Sequence, residues 1–161
     1  MNRLIISFLL LFLMSCSSNT NNNITEEQAI SVLKEFFNAI DIDNLGNKLV
    51  YEHVTKDFVI YEMGEKHDLG SFLNVIKTHF KKGYVSTDWS LYDFKVSIDN
   101  NTAHISYFNK GKFVLIENGV KKEENILWME SVYMKYEEEK LKLSFLQSDD
   151  ISREVIETQS K

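Results

Sequence analysis

The apolar positions fall into two regimes along the chain, a helical one up to about Gly83 and an alternating one after it. Thr25-Glu26-Glu27-Gln28 reads as a capping box, in which Thr25 accepts from the third helical N–H and Gln28 reaches back. Behind it Ala29, Ile30, Leu33, Phe36, Phe37 and Ile40 recur at helical spacing and predict one wide apolar face. Asp41-Ile42-Asp43-Asn44 ends that helix. A short second helix is expected from Leu45 to His53, with Leu45, Leu49 and Val50 inward. Asp57 to Met63 reads as a strand closed by Gly64. Asp68 then caps a third helix, whose Leu69, Phe72, Leu73, Ile76 and Phe80 form the buried stripe and which Gly83 ends.

From Trp89 onward the period becomes two, the period of a strand with one buried face. Trp89 to Ile98 places Tyr92, Phe94, Val96 and Ile98 together, and Thr102 to Phe108 does the same for Ala103, Ile105 and Tyr107. Asn109-Lys110-Gly111 predicts a bulge, and Asn118-Gly119 a tight hairpin. In "ILWMESVYMKY", Ile126, Trp128, Glu130, Val132, Met134 and Tyr136 share one side, so a lone acid stands among apolar and aromatic residues. The last strand alternates Leu141, Leu143, Phe145 and Gln147 on one face. Helices followed by a four-strand meander predict an α+β domain, three helices packed on a curved antiparallel sheet.

The N-terminus changes the picture of where the domain works. Met1-Asn2-Arg3 is a basic head, and "LIISFLLLFLM" after it is too short to span a bilayer, which takes about 20 residues, but fits a secretion signal. Leu13-Met14-Ser15-Cys16 resembles the bacterial lipobox, which implies lipidation of Cys16 and cleavage after Ser15. Residues 1–15 then form a signal peptide, 16–23 a lipidated cysteine and polar tether, 24–150 the domain, and 151–161 a tail. Ser17 is not the aspartate that in enteric lipoproteins signals inner-membrane retention, so the expected address is the outer membrane, facing the periplasm. Cys16 is the only cysteine, so its lipidation leaves no thiol for a disulfide, a metal or a nucleophile.

Charge excludes one class of partner. Loss of residues 1–15 removes only Arg3, taking the formal charge from −6 to −7. An acidic domain without a basic stripe is not built for nucleic acid. His53, His67, His79 and His104 have no metal-ligand spacing, and neither a metal nor a cofactor is expected.

"FFNAIDIDNLGNKL", "DFVIYEMG", "NTAHISYFNKGKF", "LWMESV" and "KLSFLQSDDI", in that order and spacing, resemble the nuclear transport factor 2-like superfamily, and within it the SnoaL-like domains of bacterial lipoproteins. The resemblance implies a cone-shaped α+β barrel with a pocket between sheet and helices. It covers nearly all of the domain. The superfamily hosts isomerases, dehydratases, cyclases and many non-enzymatic binders, so the fold does not choose an activity. Relatives often carry a histidine in the last strand where this chain has Gln147, which puts any acid–base use of that position in doubt.

The alternation puts Tyr107, Trp128, Glu130, Phe145 and Gln147 on the concave side, with Tyr61 and Trp89 at the mouth. Such a lining suits a small apolar ligand, while a filled core in which Tyr107 bonds Glu130 is the alternative. Glu130 is the one candidate catalyst, with Tyr107 and Gln147 as the groups expected in reach. An acid that merely fixes a neighbouring donor is the other use of that position. On the opposite face Phe108, Leu127, Met129, Tyr133 and Leu146 are too apolar for water and suggest a homodimer surface. The alternative cover is the tail, where Ile151, Val155 and Ile156 would form an amphipathic turn or two.

Overall fold

A computed structural model describes residues 23–158. Cys16, the signal segment and most of the tether lie outside them. The chain runs α1 (Glu26–Ile40), α2 (Val50–His53), β1 (Val54–Glu62), β2 (Glu65–Asp68), α3 (Leu69–Phe80), β3 (Tyr84–Asp99), β4 (Thr102–Glu117), β5 (Val120–Glu137) and β6 (Lys140–Thr158). The six strands form one sheet in the order β2-β1-β6-β5-β4-β3. All neighbours are antiparallel except β1 and β6, which run parallel.

The helices begin where the caps predict. Thr25 Oγ1 accepts from Gln28 N at 3.2 Å, and Asp68 Oδ1 accepts from Ser71 N at 2.7 Å. Leu33, Phe36, Phe37 and Ile40 bury the apolar face of α1 against Ala103, Ile105, Val132, Met134 and Leu143 of the sheet. The second helix is shorter than expected. Residues 42–47 form turns, and Leu49 is 40 % exposed rather than inward.

Three features of the strands differ from the pattern read in the sequence. A register shift in β3 between Tyr92 and Lys95, with Asp93 at φ 56°, leaves Trp89 and Leu91 on the inner face but turns Tyr92 outward. The bulge expected at Asn109-Lys110-Gly111 is absent, for β4 pairs with β5 in one unbroken register from Thr102 to Glu117. Its glycine has a packing reason instead. A Cβ on Gly111 would lie 2.6 Å from Cζ3 of Trp128, whose ring covers that backbone.

The third departure sits in β6. Tyr133 pairs with Phe145 but Met134 pairs with Leu143, so Ser144 is an extra residue in the ladder. Leu141 and Leu143 face inward before it, Leu146 and Ser148 after it. Residues 151–158 continue the strand rather than forming an amphipathic turn, and Ile151, Val155 and Ile156 are exposed. They do not cover the outer sheet face. There Met129 and Tyr133 are exposed and Phe108 stacks on Tyr92, whereas Leu146, expected among them, is 1 % exposed in the core.

Candidate functional site

Between α1, α3 and the concave face lies an open-ended cavity of about 540 Å³. Phe36, Phe37 and Ile40 of α1 wall one side, and Phe72, Ile76 and Phe80 of α3 another. The sheet supplies Trp89, Phe113, Ile126, Trp128 and Leu146. Trp89 and Trp128 lie 5.9 Å apart between ring centroids, and Phe113 stands edge-on to both.

Four polar groups of this site come from one row across the sheet. Tyr107 of β4 pairs with Glu130 of β5, Glu130 with Ser148 of β6, and Ser148 with Glu62 of β1. Paired residues face the same side, so four polar side chains line up inside. Ser148 Oγ donates to Glu130 Oε1 at 2.9 Å, and Asn109 Nδ2 donates to Oε2 at 3.2 Å. The Tyr107 hydroxyl adjoins the same carboxylate without the geometry of a full hydrogen bond. Burial pushes the Glu130 carboxyl up to about 7, against the opposing pull of Tyr107, Ser148 and Asn109 and with help from the Glu62 charge. Burial, with Glu130 beside it, raises Tyr107 far above the usual phenol range.

At the mouth a second cluster ties α3 to the sheet. Glu124 accepts from Tyr84 Oη and from Arg153 Nη1, both at 2.7 Å, and lies 3.8 Å from His79 Nε2. Arg153 also donates to Asp150 at 2.9 Å. Burial works to raise the Glu124 carboxyl, but the bonds from Tyr84 and Arg153 outweigh it and hold it below its ordinary value. Burial lowers His79, the nearby Glu124 charge only partly opposing it.

Trp89, Trp128 and Glu130 stand in the cavity lining, and Tyr107 is buried beside it. Tyr61, Phe145 and Gln147 do not. Glu62, not Tyr61, faces in, and Tyr61 packs on Phe145 outside at 5.6 Å. Gln147 bonds Asp149 at 3.4 Å on that outer face, because the extra Ser144 reverses the parity that placed Phe145 and Gln147 inside. The positions sequence reasoning missed are Asn109, Ser148, Glu62 and the mouth cluster. Continuing the alternation of Ala103, Ile105 and Tyr107 by one step would have found Asn109; only the bulge reveals Ser148. Among the described residues no group of three or more His, Cys, Asp or Glu side chains is placed to hold a metal.

No protein-family model matches the chain, and no curated protein matches it. Solved structures do. A protein from Kribbella flavida superposes with a TM-score of 0.64 at 13% identity, over 80% of this chain and 91% of that one. A hexachlorocyclohexane dehydrochlorinase gives 0.64 at 9% identity, over 80% and 88%. A ketosteroid isomerase-like protein from Erwinia carotovora atroseptica gives 0.60 at 14%, over 80% and 99%. Identities this low speak for the fold and leave activity open. The sheet order, the helices against its concave face and these superpositions together make this chain a cone of the nuclear transport factor 2-like fold.

Proposed function

We propose that this chain is an envelope lipoprotein, anchored through Cys16 to the outer membrane on its periplasmic side, whose cone binds a small apolar molecule. The supporting observation is the cavity: about 540 Å³, walled by aromatic and aliphatic side chains, with a few polar groups gathered on its sheet side. That is the size and make-up of a small-molecule site, which supports the ligand reading over the filled core. The lipid anchor rests on the lipobox alone. The outer face with Phe108, Met129 and Tyr133 is the surface through which two copies would pair, Leu127 flanking it.

The test is native mass spectrometry of the protein purified from its own envelope. A retained small-molecule mass is expected. A cavity that arrives empty, in a protein that no apolar ring compound stabilises against heat, overturns the reading.

One observation favours a second reading, an isomerase, dehydratase or cyclase. A buried carboxyl with a pKa of about 7 is poised to exchange a proton at neutral pH, and Tyr107 adjoins it. Turnover abolished by Glu130→Gln with ligand binding kept would establish the enzyme. Binding by both proteins with turnover by neither establishes the binder.

A further inference from the structure

Glu62 is the one acid of the cavity lining whose side chain has no hydrogen bond or ion pair among the described residues. It pairs with Ser148 and faces inward, and burial raises its carboxyl, with help from the Asp150 charge and against the pull of His67 and Arg153. Its oxygens are not sealed in the wall as the Tyr107 hydroxyl and the indole N–H groups are, so a molecule in the cavity can reach them. The basic groups of the lining are engaged elsewhere. Arg153 donates to Glu124 at 2.7 Å and to Asp150 at 2.9 Å, His67 lies 3.4 Å from Glu65, and His79 lies 3.8 Å from Glu124. Counted with these partners, the lining sets five carboxyl groups, Glu62, Glu65, Glu124, Glu130 and Asp150, against one arginine and two histidines. Glu130 already accepts from Ser148 and Asn109, and the Glu62 charge still reaches it across Ser148. Two carboxyl groups that repel each other across one cavity are relieved together by a single cation.

Resting on the reading of the cavity as a site for a small apolar molecule, we propose that this molecule carries one protonated amine, which donates to the Glu62 carboxylate while its ring lies among the aromatic walls. The amine brings the donors and the charge that Glu62 lacks, in a charge-assisted hydrogen bond. The faces of the surrounding Phe and Trp rings also attract a cation. Glu62 ends β1 just before the exposed Met63, so the ammonium keeps part of its water and its desolvation cost is limited. A neutral ring would leave Glu62 unpaired. An anion would have to draw Arg153 away from Glu124 and Asp150 while facing Glu62 and Glu130.

The experiment compares 2-naphthylmethylamine, 2-naphthylmethanol and 2-naphthoate, which share one ring and differ in carrying a cation, a neutral hydroxyl or an anion. Each is titrated calorimetrically at pH 7 into wild type and into Glu62→Gln, which keeps the shape of the side chain and removes its charge. Wild type is expected to bind the amine about ten-fold more tightly than the alcohol, the scale of a hydrogen bond to a charged group, and the naphthoate no better than the alcohol. In Glu62→Gln the preference for the amine should fall below about two-fold, with affinity for the alcohol little changed. Equal binding of amine and alcohol by wild type overturns the inference and leaves the ligand pocket standing. So does tighter binding of the naphthoate, which would make Arg153 the receptor of an anion, or an amine preference that survives Glu62→Gln. Binding of none of the three removes both. Should the variant fail to fold, the order of the three probes on wild type still decides.

Discussion

Glu130 combines a near-complete loss of solvent with three polar neighbours, and its protonation links the site to stability. Its carboxyl lies at about 7 in the folded chain against 4.5 for an ordinary glutamate. The native state therefore binds the proton more tightly than the unfolded state does. Its contribution to stability is fully present below about pH 4.5 and is lost as pH rises through 7. Glu130→Gln removes that dependence while keeping shape, and its amide can still accept from Ser148. Chemical denaturation of both proteins at pH 5 and pH 8 should show wild type losing roughly 2–3 kcal/mol more than the variant across that interval. Glu62 is also raised by burial and stays in both proteins, so the difference reports Glu130 together with its coupling to Glu62. Parallel pH curves would mean that the carboxyl titrates in the ordinary range.

At the scale of elements, the legible parts of the sequence are those where local chemistry and tertiary demand agree. Thr25 and Asp68 cap helices because their side chains reach backbone N–H groups three residues on, a requirement visible in four letters. Ala103 to Phe113 and Glu124 to Met134 alternate without interruption, so the alternation alone puts Trp128 and Glu130 on the concave side. Ser144 breaks that logic in β6. A bulge costs one residue and leaves no compositional mark, yet it inverts the side chains that follow until the next register shift, at Ile151, which puts Phe145 and Gln147 out and Leu146 and Ser148 in. The mouth cluster was illegible for another reason: Tyr84, Glu124 and Arg153 come from three strands, and His79 from a helix. Within that cluster α3 contributes His79, whose ring stacks 4.5 Å from Tyr84 and lies 3.8 Å from Glu124, while the Arg153–Glu124–Tyr84 bonds join β6, β5 and β3. Removing its centre with Glu124→Ala should loosen α3 selectively. Hydrogen exchange is expected to quicken several-fold for the amides of Phe72 to Phe80 and to stay unchanged in β4 and β5, since local opening follows local contacts. Uniform acceleration across the sheet would make Glu124 a global support instead.

For the whole molecule the two ends of α1 define an axis. Gln28, in its first turn, bonds Tyr136 at 3.3 Å, beside the hairpin that joins β5 to β6. Phe36, Phe37 and Ile40, in its last turns, wall the cavity. Along α1, a helix of 15 residues, these points lie roughly 12–18 Å apart. The chain therefore enters the domain at the end of the cone away from the Arg153 mouth, and a lipid on Cys16 would hold that far end nearest the bilayer. Among the described residues, every one that lines the cavity falls between Phe36 and Arg153. Anchoring and binding should then separate cleanly. Globomycin treatment, or Cys16→Ser, is expected to accumulate precursor and abolish detergent-phase partitioning. The domain from Asn23 onward, made without the leader, should keep its melting temperature and the small-molecule binding of the full chain. Wild-type protein that matures without acylation would remove the anchor from this picture. A leaderless domain that folds but binds several-fold more weakly would show that the tethered end and the cavity are coupled, contrary to the placement of α1.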